Sequence, residues 1–304
     1  MNSLSRRFFL SASLGLAAGS AVSCSNTDAQ PDRAQPRSSG SGLPPARIVQ
    51  TRLGQVRGQD RGRTLAFLGL RYAKPPTGVL RFTPPQPCES WTGVYEATKL
   101  PPFAVQPPEP PLVPIVINGR PQLQGRQSED CLFLNIYTPA ADQRKRPVLV
   151  WIHGGGYTVG SANEYDGGIL AAQGDVVVVC INYRLGVFGF TDFSGLDKGL
   201  AGSASNGFRD QIEALRWVRN NIADYGGDPA HVTIFGESAG GGSVLALLAA
   251  PSAEGLFHRA IAHSPGGSRT PPPDDIPKLT RAVGLSGAGL LERLRALSAE
   301  ELVA

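Results

Sequence analysis

The sequence contains few of the residues that build metal sites or disulfide scaffolds. Only 4 cysteines and 4 histidines occur among its 304 residues. The cysteines stand singly at positions 24, 88, 131 and 180, and none belongs to the paired CxxC spacing of a zinc site. The sequence therefore predicts neither a metal site nor a disulfide-rich fold.

Strong charge and long apolar runs are also absent. Charged residues make up 18% of the chain, the formal net charge is +4, and no basic run with interleaved aromatic residues occurs. We therefore expect no nucleic-acid partner. Hydrophobic residues make up 41%, which indicates a globular protein. The 37 glycines and 26 prolines predict many turns and argue against a helical bundle.

The first 24 residues have the pattern of an export leader. Arg6 and Arg7 precede an apolar stretch, Phe8 to Ala18, that is about half as long as a bilayer requires. The arginine pair followed by Phe-Leu resembles the twin-arginine signal of bacteria, whose exporter carries folded proteins. An ordinary secretory leader is the alternative. We expect an exported protein, either periplasmic or extracellular.

A second processing feature is Cys24, which follows small residues as in lipoprotein processing sites. Lipidation of Cys24 would be the only expected contact with a membrane, and cleavage nearby that releases a soluble protein is the alternative. Residues 25–45 are rich in Ser, Gly, Pro, Gln and Asp, which predicts a disordered linker. Since no repeat or change of composition occurs after this linker, residues 46–304 are expected to form one domain.

Strand-like and helix-like patterns alternate from residue 46 onward. Segments 47–57 and 64–72, with turn residues Gly58 and Gly62, predict an antiparallel hairpin. Short apolar runs predict central strands of a buried, mostly parallel sheet. These runs are Leu132–Tyr137, Val148–Ile152, Val176–Ile181 and Val232–Phe235, and Arg259–Ser264 is predicted to be the next parallel strand.

Helical patterns and one long loop alternate with these strands. The segment Asp210–Tyr225 carries an apolar helical stripe and is followed by Gly226, which predicts a helix between two parallel strands. The stretch Leu290–Val303 is expected to form one amphipathic helix. Leu100–Gln124 carries eight prolines and is expected to be an ordered surface loop beside a pocket.

The sequence Gly236-Glu-Ser238-Ala-Gly240 lies between the predicted strand Val232–Phe235 and a predicted helix, Ser243–Ala250. A GxSxG pattern alone is weak evidence, but this context is typical of a nucleophile elbow, in which a strained turn exposes the serine. Glycines are required two residues before and after the serine because the turn is tight. Ser238 is the candidate catalytic nucleophile, and the helix N-terminus would favour the negative charge that develops when it attacks a carbonyl.

A glycine-rich loop, His153-Gly-Gly-Gly156, comes directly after another predicted strand. The backbone N–H groups of Gly155, Gly156 and Ala239 are candidates for an oxyanion hole. A phosphate-cradling loop would need Lys and Ser or Thr after its glycines, so we predict no nucleotide or other cofactor. His153 is expected to orient the loop rather than to act as a base.

These motifs occur with further strings that together resemble the type-B carboxylesterases of the α/β-hydrolase superfamily, the family of para-nitrobenzyl esterases and cholinesterases. The resemblance runs from about residue 47 to 304. It implies an α/β-hydrolase fold, with a mixed, mostly parallel sheet and helices on both faces, and hydrolysis of small-molecule carboxylic esters through an acyl-serine intermediate. The strings are 67–78 with 80–82, 128–135, 153–157, 182–190, 210–211 and 236–241.

The resemblance also implies structural contacts. Two ion pairs carry over, Arg81 with Glu129 and Arg184 with Asp210. The usual disulfide of the family pairs the position of Cys131 with one that is alanine here, Ala104, so that bridge cannot form. Cys88 is the possible substitute, and Cys180 is expected to be a buried thiol.

The chain departs from the family in the part of the sequence after the nucleophile. The family places the acid and the histidine of its triad well downstream of Ala304, so both are expected to be missing from a chain truncated at its C-terminus. His258 is expected at the surface, whereas His263 ends a predicted strand that points towards the site. Two hypotheses remain open: a serine carboxylesterase, and a catalytically silent remnant or binding module with the same fold.

Overall fold

The computed structural model describes residues 46–107, 125–266 and 276–303. The expected leader at 1–24, the linker at 25–45 and most of the proline-rich loop lie outside the described residues. In the described part, nine strands form one sheet. The strands are β1 Ala46–Thr51, β2 Gly54–Asp60, β3 Leu65–Arg71, β4 Val94–Glu96, β5 Phe133–Thr138, β6 Arg146–Ile152, β7 Val177–Ile181, β8 Gly227–Glu237 and β9 Arg259–His263.

Seven α-helices accompany this sheet in the same ranges. The longest, α3, contains the predicted apolar stripe, and the one that begins after Ser238 is α4. The helices are α1 Gly168–Gly174, α2 Gly186–Phe190, α3 Asn206–Asn221, α4 Ala239–Ala249, α5 Ile276–Val283, α6 Gly287–Ala296 and α7 Ala299–Val303.

The sheet has a mixed order, β1-β2-β3-β5-β7-β6-β8-β9, and β4 pairs with β2. Antiparallel pairings join β1 through β3, β5 and β7, whereas β7, β6, β8 and β9 are mutually parallel. Because the carboxyl ends of parallel strands meet at one edge, the loops after β6 and β8 lie side by side. The fold therefore brings together the two glycine-rich motifs of the sequence.

Both faces of the sheet are covered. Along β7, Val177, Val179 and Ile181 belong to a large apolar cluster with α3 and α4. Val178 and Cys180 alternate with them and pack in a second cluster on the opposite face, together with Ala171 of α1. This two-residue alternation, with all of β7 buried, confirms the expectation of a central strand between two helical layers.

The first predicted hairpin was wrong in its boundaries. The segment 47–57 folds back on itself, because β1 and β2 pair around a tight turn at Arg52 and Leu53. The Thr51 hydroxyl makes this turn by accepting from the Leu53 N–H at 3.2 Å and donating to the Gly54 carbonyl at 2.7 Å. A side-chain turn of this kind gives a weak sequence signal, since its residues also favour strands.

The stretch Leu290–Val303, predicted to be one helix, contains parts of two helices, α6 and α7. The break comes after Leu297, where Ser298 and Glu301 form a reciprocal capping box. The Ser298 N–H donates to the Glu301 carboxylate at 2.7 Å, and the Glu301 N–H donates to the Ser298 hydroxyl at 3.2 Å. The predicted helix over Asp210–Tyr225 begins earlier, at Asn206, and its last turn narrows to a 3-10 helix before Gly226.

One face beside β9 leaves apolar side chains exposed. Leu245 and Leu248 of α4 are 49% and 40% exposed, and Ile261 of β9 is 47% exposed. Leu245 and Leu248 belong to the same helix as Val244 and Leu247, which pack in the core. Among the described residues, no helix combines the length and the hydropathy that crossing a membrane would require.

Candidate active site

Ser238 lies at the turn between β8 and α4. Its φ of 54° and ψ of −119° are strained for any residue other than glycine. A Cβ atom on Gly240 would lie 2.1 Å from the Ile152 carbonyl oxygen, so the helix can pack against β6 only with glycine there. The backbone of Ser238 is held on both sides, with its N–H donating to the His263 carbonyl at 3.0 Å and its carbonyl accepting from the Gly242 N–H at 2.9 Å.

The glycine-rich loop after β6 lies directly against this turn. A Cβ atom on Gly154 would lie 3.2 Å from the Cβ of Ser238. Gly155 and Gly156 then take left-handed φ values of 101° and 63°, which turn the chain back toward Gly160. Within the described ranges, the N–H groups of Gly155, Gly156 and Ala239 donate to no protein acceptor. The loop and the start of α4 thus leave three backbone donors unpaired beside one hydroxyl.

His153 is a neutral structural residue of this loop. Its ring stacks on Tyr183 at 4.4 Å, and its Nδ1–H donates to the Gly154 carbonyl at 2.9 Å. Burial lowers the pKa of His153 to about 4, because the charged imidazolium would lose its solvation. The geometry agrees with an orienting role, since the ring is buried and its Nδ1–H is engaged within the loop.

Two residues that the sequence motifs did not single out hold the loop at its ends. The Tyr183 hydroxyl donates to the His153 carbonyl at 2.8 Å. The buried Gln106 amide accepts from the Gly160 N–H at 2.8 Å and donates to the Gly160 carbonyl at 3.2 Å. Neither contact joins residues close in sequence, so no local pattern could have revealed it.

Both ion pairs implied by the resemblance are present below the site. Arg184 donates to Asp210 through its backbone N–H, Nε and Nη2 at 3.0, 2.8 and 2.7 Å, and the Asp210 side chain is fully buried. Arg81 forms a bidentate pair with Glu129. The same guanidinium donates to the carbonyls that end α6, at Leu294 and Leu297.

Among the described residues, no histidine or carboxylate side chain is placed as a general base for Ser238. In the described part of the chain, the Ser238 hydroxyl has no hydrogen bond to a histidine or carboxylate side chain. His258 is exposed, as expected, and its Nδ1 accepts from the Val232 N–H at 3.2 Å. His263 offers its carbonyl to Ser238 while its side chain is exposed.

The cysteines of the described residues are free thiols. Cys131 and Cys180 are buried, and Cys88 is half-buried, so the suggested Cys88–Cys131 bridge is absent from the structure. Burial raises the pKa of the Cys180 thiol to about 12. Ala104 and Cys131 line the same pocket, beside Glu129 and Arg184. No group of three or more potential metal ligands occurs in the ranges that the structure describes.

Comparisons with known proteins agree with this architecture. The model of the carboxylesterase family matches residues 45–304. Para-nitrobenzyl esterase of Bacillus subtilis (strain 168) is 44% identical over 262 residues, covering 84% of this chain and 52% of that protein. Liver carboxylesterase of Sus scrofa is 54% identical over 203 residues, covering 65% of this chain and 35% of that protein. The crystal structure of a carboxylesterase from Geobacillus stearothermophilus matches with a TM-score of 0.76 at 44% identity, over 84% of this chain and 52% of that one.

The mixed, mostly parallel sheet, its two helical layers and the strand–serine–helix turn define an α/β hydrolase. Within that class, the chain belongs to the carboxylesterase family. It spans about half the length of the para-nitrobenzyl esterase that it matches.

Proposed function

We propose that the chain is the nucleophile-bearing part of a serine carboxylesterase that hydrolyses small-molecule carboxylic esters. The strained turn that presents Ser238 beside three unpaired backbone donors is the observation that carries this proposal. Membership of the carboxylesterase family supports the reaction class.

The reaction follows from the arrangement of these groups. The Ser238 hydroxyl loses its proton to a base and attacks the ester carbonyl, and the negative charge that develops on the carbonyl oxygen is stabilised by the N–H groups of Gly155, Gly156 and Ala239. Each such donor contributes about 2.7–4 kcal/mol in the transition state. Collapse of the tetrahedral intermediate expels the alcohol and leaves an acyl-serine, which water then hydrolyses.

The proposed reaction requires a base that accepts the proton of the Ser238 hydroxyl. No described side chain takes this role, and the resemblance assigns the triad acid and histidine to sequence beyond Ala304. The competing proposal is a catalytically silent module of the same fold, which the absence of a described partner for the Ser238 hydroxyl favours. Without a base, only the residual rate due to the oxyanion donors and to binding would remain.

Hydrolysis of 4-nitrophenyl butyrate distinguishes the two proposals. We would compare the 304-residue chain, its Ser238→Ala variant and a chain extended to the end of the reading frame. Serine-dependent turnover by either chain supports the esterase. The absence of serine-dependent turnover in both chains supports the silent module.

We further propose that the leader exports the folded chain. The adjacent Arg6 and Arg7 before a short apolar stretch support a twin-arginine route. Replacing both arginines with lysine should retain the protein in the cytoplasm, as measured by cell fractionation. Cys24→Ala should move the exported protein from the membrane fraction to the soluble fraction, and an unchanged distribution would contradict lipidation.

A further inference from the structure

Tyr157 comes directly after the glycines of the loop and has a backbone conformation that tyrosine rarely adopts. Its φ is 63°, in the left-handed region that favours glycine. A bulky residue remains in such a conformation only when the contacts around it over-determine it. The contacts of Tyr157 therefore indicate what holds the loop in place.

Three aromatic rings meet at Tyr157 and form what we call the aromatic cluster: Tyr157, Phe190 and Phe208. The Tyr157 ring lies 4.8 Å from that of Phe190 and 5.7 Å from that of Phe208, and the two phenylalanine rings are 5.3 Å apart. The Tyr157 carbonyl also accepts from the Gly186 N–H at 2.8 Å. Helices α2 and α3 therefore hold both the side chain and the main chain of Tyr157.

The same side chain reaches the helix after the nucleophile. A Cβ atom on Gly242 would lie 2.7 Å from the Tyr157 hydroxyl oxygen, so the hydroxyl lies against the first turn of α4. Gly242 is the residue whose N–H donates to the Ser238 carbonyl. Tyr157 thus links the loop, the helices α2 and α3, and the turn that carries Ser238.

We propose that Tyr157 is a positioning residue that fixes the direction of the Gly155 and Gly156 amides relative to Ser238. This inference rests on the proposed function. Two consecutive glycines have no side chains to hold them, so their orientation depends on the residues at the ends of the loop. Gln106 holds the far end at Gly160, and the aromatic cluster holds the end at Tyr157.

Amide hydrogen exchange tests the positioning role without requiring turnover. Tyr157→Ala should increase exchange of the hydrogen-bonded loop amides at 158–160 by about tenfold, whereas Tyr157→Phe, which keeps the ring, should stay within about twofold of the parent. Tyr95→Ala is the matched control, because Tyr95 is also half-buried and its ring pairs with Trp91 at 4.9 Å, away from the site. The control should leave exchange at 158–160 unchanged.

The rate at which a 4-nitrophenyl alkylphosphonate modifies Ser238 supplies the chemical readout. The serine oxygen bonds to phosphorus, nitrophenolate leaves with the bonding electrons, and the hydroxyl proton passes to the available base. Tyr157→Ala should lower the limiting rate by about 10- to 100-fold while leaving the half-saturating concentration unchanged, and Tyr157→Phe should retain the parent rate. Tyr157→Leu replaces the alanine variant if that protein does not fold.

The outcomes test the positioning role of Tyr157 separately from the proposed function. Unchanged exchange and unchanged labelling in Tyr157→Ala, or equal changes in Tyr95→Ala, overturn the positioning role and leave the proposed function standing. In the chain extended to the end of the reading frame, labelling that does not differ between the parent and Ser238→Ala contradicts the proposed function, and the exchange data then decide the role of Tyr157 alone.

Discussion

Replacing Asp210 with asparagine removes the negative charge of a buried ion pair without changing the size of the side chain. Asp210 is 0% exposed and accepts three hydrogen bonds from Arg184, whose side chain is 3% exposed. Asparagine keeps one acceptor oxygen and turns an NH2 group toward the donors. The guanidinium then remains charged and unpaired in the core, and we expect a loss of about 3–5 kcal/mol in the free energy of unfolding.

Glu96→Gln is the matched control for this loss. Glu96 pairs with Arg57 at 2.9 Å, but the two side chains are 59% and 35% exposed. An exposed pair contributes only about 0–1 kcal/mol, and salt screens it. Urea unfolding can be followed by tryptophan fluorescence, because Trp217 on α3 is 4% exposed in the folded chain. In about 1 M salt the small effect of Glu96→Gln should vanish, whereas the effect of Asp210→Asn should persist.

The two variants together test whether burial of the ion pair determines how much the free energy of unfolding falls. If Asp210→Asn loses less than about 1 kcal/mol, or if its loss disappears with salt, the reasoning from an uncompensated buried charge is refuted. A loss in the expected range would assign this pair a structural role below the candidate active site.

Three further predictions concern the site and its supports. Burial lowers the pKa of His153 from 6.5 to about 4, so stability should be full above pH 6.5 and fall by about 3 kcal/mol by pH 4. His153→Phe should lack this loss in urea titrations at the two pH values. Ser238→Gly should be more stable than Ser238→Ala by about 1 kcal/mol in thermal unfolding, since glycine relieves the strained turn, and equal stabilities would argue against strain. Ala104→Cys should form a disulfide with Cys131 that adds about 3.5 kcal/mol under oxidising conditions, measured against the reduced protein.

The sequence predicted the central strands because burial on both faces produces continuous apolar runs. The run Val176–Ile181 corresponds to β7, in which every residue is buried, whereas the predicted parallel strand before Ser264 corresponds to β9, which lies at the edge of the described sheet and has exposed residues. The hairpin and the last helix were placed less well, because their boundaries depend on Thr51 and Ser298, whose hydroxyls form hydrogen bonds that composition does not specify.

The candidate site also has a part that the sequence predicts and a part that it does not. The turn around Ser238 and the glycines after His153 are local motifs that the sequence reveals directly. The two motifs lie close together because they follow β6 and β8, which are neighbouring parallel strands. The contacts that hold them were not predictable, because Gln106 and Gly160 are 54 residues apart, and the Tyr157 ring meets Phe208 only in the folded chain.

The partners of Arg81 are far apart in the sequence, so they become available to Arg81 at different times during synthesis. Its guanidinium donates to carbonyls at Leu294 and Leu297, which are 213 and 216 residues later. A ribosome that adds about 5–20 residues per second needs about 10–40 s to cover that distance. Throughout this interval the Arg81 donors lack their carbonyl partners on α6, and contacts at such separation also form slowly. During synthesis, Glu129 is therefore available to Arg81 long before the carbonyls at the end of α6 are.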